Sequence, residues 1–145
     1  MVRRTPVRFA GYECVKLENN ALDLWVTQSV GPRIIGLALT DGANLLAELP
    51  EQTVACPGGR TFRFRGGHRL WYAPEDPTRT YLPDDDPVAI VEQADGASII
   101  QPVETQTGIQ KSLSVCLAGP EARVVIDHRL QNQSAVPVEL APWAI

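Results

Sequence analysis

The chain has 145 residues, which suits one domain able to bury roughly 68–70% of its unfolded surface. Its 44% hydrophobic and 21% charged residues are ordinary for a soluble globular protein, and a formal net charge of −4 argues against a dedicated nucleic-acid binder. No apolar run reaches membrane-spanning length and residues 1–10 lack the apolar stretch of a secretory signal, so the expectation is a cytoplasmic protein without a membrane partner.

Arg3, Arg4 and Arg8 open the chain without interleaved aromatics, and residues 1–10 read as a loose, solvated tail. Period-two alternation then takes over. Residues 12–18 alternate, Asn19-Asn20 supplies a turn and residues 21–30 resume, predicting a hairpin that Gly31-Pro32 ends. Residues 33–39 form a more buried third strand, closed by Asp41-Gly42, and residues 43–47 form a short fourth one. Trp25, inside a strand, is expected to fill the core.

From Pro50 to Pro87 the density of proline and glycine predicts irregular loops around one short strand at 61–65. Long ordered loops of this kind are usually functional. Asp84-Asp85-Asp86 lacks the alternating oxygen ligands of a calcium loop and reads as a solvated acidic turn.

Regular alternation returns with a second hairpin (88–93 and 97–103, turning at Asp95-Gly96) and a third (108–117 and 121–130, joined at Gly119-Pro120). Residues 136–145 begin a last strand. The fold class is all-β, an antiparallel sandwich forming one domain over 1–145. The last strand is apolar through Trp143-Ala144-Ile145, so it is expected to be covered by another chain or segment, with homo-oligomerisation one route. Cys14, Cys56 and Cys116 are odd in number and widely spaced, which predicts reduced thiols and no metal or cofactor site.

The chemistry concentrates at Arg65-Gly66-Gly67-His68-Arg69-Leu70-Trp71-Tyr72-Ala73-Pro74-Glu75. A glycine pair lets backbone approach a ligand closely. Arg65 and Arg69, four apart, would share a face of any common strand, where they would either pair with the acidic loop or grip hydroxyls, a phosphate or a carboxylate. Trp71 and Tyr72, adjacent and therefore on opposite sides, leave at most one to stack on a sugar while the other joins the core. His68 would donate to a sugar hydroxyl or titrate near neutrality, and Glu75 would accept from hydroxyls. His128 shares a face with Val124, Ile126 and Leu130 and reads as a core histidine. Nothing resembles a hydrolase nucleophile elbow.

The order of several short motifs resembles the galactose mutarotase-like superfamily, which includes aldose 1-epimerases and hexose-phosphate mutarotases. They are Tyr12 with Leu17-Glu18-Asn19, Gly31-Pro32-Arg33-Ile34, Gly42-Ala43-Asn44-Leu45-Leu46, the Arg65-Gly66-Gly67-His68 bend, and Leu130-Gln131-Asn132-Gln133-Ser134. The resemblance covers the N-terminal half of a family member and implies half of a larger sandwich binding a carbohydrate or sugar phosphate. It also implies ring-opening isomerase chemistry, in which a carboxylate base and a histidine acid flank one sugar. The family's base is a Glu beyond the matched half, and its acid position falls near Trp143.

Three readings follow: a mutarotase-like carbohydrate binder holding sugar against Arg65, His68, Arg69, Trp71 and Glu75; an aldose 1-epimerase completed by a second chain or segment, with His68 catalytic; and a non-catalytic assembly module pairing through its strand edges.

Overall fold

Most of the alternating runs become strands in the computed structural model, which describes residues 2–145. The strands are β1 (Arg3–Phe9), β2 (Tyr12–Glu18), β3 (Leu22–Thr27), β4 (Arg33–Leu39), β5 (Glu48–Cys56), β6 (Arg60–Gly66), β7 (His68–Ala73), β8 (Ala89–Gln93), β9 (Gly96–Ile100), β10 (Ile109–Leu117), β11 (Val124–Asn132) and β12 (Ala141–Ala144). They build a six-stranded sheet ordered β1-β2-β3-β4-β7-β12, a four-stranded sheet ordered β11-β10-β9-β8, and the separate hairpin β5-β6. Every pairing is antiparallel.

The two large sheets pack face to face through one side of each strand. Leu17, Leu24, Val26, Ile34 and Leu70 meet Ile99, Leu113, Val115 and Leu117, all essentially without exposure. Each such side chain contributes roughly 1.5–3 kcal/mol by leaving water. The β5-β6 hairpin forms a third, smaller layer on the other face of the six-stranded sheet, where Phe62 and Cys56 pack on Trp71 beside Phe64 and Tyr81.

The structure corrects several expectations. Over residues 1–10 the chain is not a loose tail: Arg3–Phe9 is edge strand β1, paired from Arg3↔Glu18 to Phe9↔Tyr12, while residue 1 lies outside the described residues. Its arginines have partners. Arg3 pairs with Glu18, and Arg4 reaches across the sandwich to the carbonyls of Gln93, Ala94 and Gly96. Residues 43–47 are not a strand; Asn44 Oδ1 instead accepts from the N–H groups of Leu37 and Leu46 and folds the segment back on β4.

The region from Pro50 to Pro87 holds β5, β6 and β7 rather than one short strand. Pro50 is tolerated because the β5-β6 ladder is irregular between Leu49 and Thr53, so its missing N–H costs no regular pairing. Trp25 lies outside the inter-sheet core, half-buried on the opposite face and stacked on Phe9 with ring centroids 4.5 Å apart. That stack rests on Gly36, where a Cβ would come within 2.8 Å of the Phe9 ring. The last strand, β12, pairs with β7 but leaves Trp143 and Ile145 exposed.

Candidate functional site

Strand β7 sorts the Arg65–Glu75 segment by alternation. His68, Leu70 and Tyr72 point toward the four-stranded sheet, while Arg69 and Trp71 point into the β5-β6 layer. Both sides of β7 are covered, so the residues expected to grip a ligand are mostly interior. Trp71 is 4% exposed and edge-packed by Phe62, Tyr81 and Trp143, leaving no free face for a sugar. Tyr72, expected to take the opposite role, is just as buried.

Arg69 lies between the rings of Phe62 and Trp71, 4.3 and 3.8 Å from their centroids, and its Nη1 has no partner. Burial, followed by the charge of Arg33, pushes its pKa well below the ordinary arginine value. Arg65 sits on β6 rather than β7, buried over Tyr12 and paired with Asp85, so it shares no strand with Arg69. Gly66 and Gly67 serve a close approach within the fold. A Cβ there would lie 2.0 Å from the Ala47 carbonyl oxygen and 2.2 Å from that of Ile34. Glu75 is exposed and accepts from the Tyr81 hydroxyl.

The polar groups that do converge on open space come from two other loops. Residues 82–86 are fastened by Gly31 N–H donating to the Asp84 carbonyl and Val88 N–H to that of Gln28, both at 2.9 Å. Residues 101–106 are held by Gln101 N–H to Lys111 O at 3.1 Å and Glu104 N–H to Ile109 O at 2.9 Å. Between these loops, with Arg60 and Gly31, lies a cleft of about 240 Å³. Its lining includes Asp84, Asp86, Glu104, Gln101 and Gln106 beside apolar Leu82, Pro83, Pro102 and Val103.

Buried cations stand behind two of those carboxylates. Arg33, fully buried, donates Nε to Asp84 Oδ2 at 2.9 Å and its other nitrogens to the carbonyls of Phe64, Gly66 and Arg63. Asp84 is therefore a structural ion pair, not the freely solvated turn residue expected, although Asp86 is exposed. Glu104 accepts from Lys111 Nζ and from Gln101 Nε2 (3.2 Å) on one oxygen, and from Tyr72 Oη (3.2 Å) and Thr107 Oγ1 (2.6 Å) on the other. Burial pulls the Lys111 pKa down against the opposing pull of Glu104, and burial with the Glu104 charge pushes Tyr72 up to about 12. Asp84 Oδ1 and Gln101 Oε1 are buried behind the cleft wall and have no hydrogen-bond partner among the described residues.

His68 and His128 form a second polar feature. Their Nε2 atoms are 2.7 Å apart, joining β7 to β11 across the sandwich. His128 keeps the face expected of it, sharing the partly buried side with Val124, Ile126 and Leu130, but it is half-buried and meets an imidazole rather than only core carbon. Neither ring lines the cleft. A broader depression of about 440 Å³ beside Ala73, Pro74 and residues 139–141 has one carboxylate, Glu139, and little else that is polar.

One sequence signal pointed to the cleft. Along β10, Ile109, Leu113, Val115 and Leu117 are the inward phase, and Lys111 interrupts it. A lysine in an apolar row needs a buried carboxylate, which is Glu104. Among the described residues no group of three or more His, Cys, Asp or Glu side chains is placed to hold a metal ion, and no helix is long and apolar enough to cross a membrane. The three cysteines are free. No model of a known protein family matches the sequence, and no curated protein matches it.

Proposed function

We propose that the protein is a mutarotase-like carbohydrate-binding β-sandwich and that the sugar occupies the cleft between loops 82–86 and 101–106. The observation that carries this reading is the convergence of Asp84, Asp86 and Gln101 on a space of about 240 Å³ with Leu82, Pro83, Pro102 and Val103 alongside. Carboxylates and amides accept from sugar hydroxyls, and exposed Asp86 and Gln106 line the cleft. Apolar side chains suit the carbon face of a ring. The ordered motifs shared with the galactose mutarotase-like superfamily support the same class of ligand.

Binding is favoured over isomerisation. Ring opening needs an acid and a base flanking one sugar, whereas His68 bonds His128 outside the cleft lining and Glu104 is saturated by four donors. Saturation-transfer NMR with a panel of neutral monosaccharides, disaccharides and sugar phosphates tests the proposal. Transfer to the protons of at least one sugar at millimolar concentration is expected; none across the panel contradicts it.

The exposed β12 edge supports the assembly reading as a second possibility. Val136, Val138, Trp143 and Ile145 are 67%, 44%, 37% and 60% exposed around the edge of the six-stranded sheet. Such an edge pairs readily with another strand. Sedimentation that stays monomeric up to high concentration counts against it.

A further inference from the structure

We propose that the His68–His128 contact is an acid-sensitive clamp between the two sheets, closed near neutral pH and forced open in mild acid. Its geometry is the starting point. Two Nε2 atoms at 2.7 Å are bonded only if one carries hydrogen and the other offers its lone pair. A neutral pair satisfies this, and so does a singly protonated one. A doubly protonated pair places two N–H groups and two positive charges against each other, and the contact must break.

The charged groups nearby are turned away from the pair or already engaged, and only Asp127, on the outer face, favours the charged form of His128. On the inward face, Tyr72 lies farther along β7, and Lys111 on β10 is already committed to Glu104. From β4, Arg33 is turned into the β5-β6 layer, where it bonds Asp84. Asp127 and Arg129 flank His128 on the exposed face of β11, and β12 contributes no titratable side chain. Among the described residues, neither imidazole is hydrogen-bonded to a carboxylate.

Both rings titrate below the ordinary histidine value. Burial and then the His128 charge lower His68; burial lowers His128, with Asp127 acting in the opposite direction. A histidine whose folded pKa is depressed adds stability that is complete above its unfolded value of about 6.5 and is lost as pH falls through the folded value. The sheet edge at β7-β12 and the facing β11 lose their link over that window.

The test is a histidine NMR titration of the full chain from neutral to mildly acidic pH, with amide-exchange protection factors at each point. As His68 titrates, protection in β11 and β12 should fall while that in β2 and β3 holds. His128→Gln keeps an acceptor but removes the second charge; in it the His68 midpoint should rise and the loss of protection should disappear. Unchanged protection through the His68 titration, or the same pH response in His128→Gln, overturns the clamp. If the variant does not fold, the wild-type titration decides alone.

Discussion

Arg33 donates to Asp84 at 2.9 Å, and this ion pair joins the buried end of β4 to the wall of the cleft. The guanidinium also satisfies the carbonyls of Arg63, Phe64 and Gly66, so it holds the third layer onto the sheet as well. Arg33→Met should therefore cost about 3–5 kcal/mol, because a carboxylate and several carbonyls lose their donor inside the protein. Urea denaturation followed by tryptophan fluorescence measures it. A loss below about 1 kcal/mol would mean that water replaces the guanidinium without penalty.

Lys111 and Glu104 are the matching pair on the other side of the cleft, both nearly buried. Lys111→Met alone leaves Glu104 without a cation and should destabilise by about 3–5 kcal/mol. Adding Glu104→Gln removes the stranded charge, so the double variant should be more stable than Lys111→Met by at least about 1 kcal/mol. Additive losses would show that the two side chains act independently.

Gly67 has φ of +71°, and a Cβ there would meet the Ile34 carbonyl oxygen at 2.2 Å. Gly67→Ala combines left-handed backbone strain with overpacking against main chain and should cost about 3 kcal/mol in thermal or urea unfolding. Ligand affinity, measured where the variant is folded, should change little, since the glycine packs on β4 and not on the cleft.

Asp86 is exposed on the cleft wall and forms no ion pair among the described residues. Asp86→Asn should leave stability within about 0.5 kcal/mol. It should weaken sugar binding by roughly tenfold, the worth of one hydrogen bond to a charged acceptor. Isothermal calorimetry with the tightest sugar of the panel provides the comparison.

The hairpins were legible because alternation and turn residues agree: Asn19-Asn20, Asp95-Gly96 and Gly119-Pro120 all join paired strands. The span from Pro50 to Pro87 was not, because proline and glycine mark bends without revealing that short strands survive between them. Site residues failed for a different reason. Whether Arg69 and Trp71 meet solvent depends on what covers the outer face of β7, and the cover is β5-β6, a hairpin hidden by that same proline density. Conversely, Arg33 and Asp84 are 51 positions apart, and no local pattern pairs them. Lys111, a charge in an apolar row, is the one local signal that bears on the cleft, and the hairpin reading passed over it.

Mapping a bound sugar by amide chemical-shift perturbation locates it either in the cleft or on the Arg65–Glu75 segment, and the cleft is the expected answer. Saturating the protein with the best-binding sugar should shift the amides of Asp84, Asp86, Gln101 and Gln106 and leave those of Arg69 and Trp71 in place. Shifts centred on His68, Trp71 and Glu75 instead, with the cleft loops silent, would contradict it.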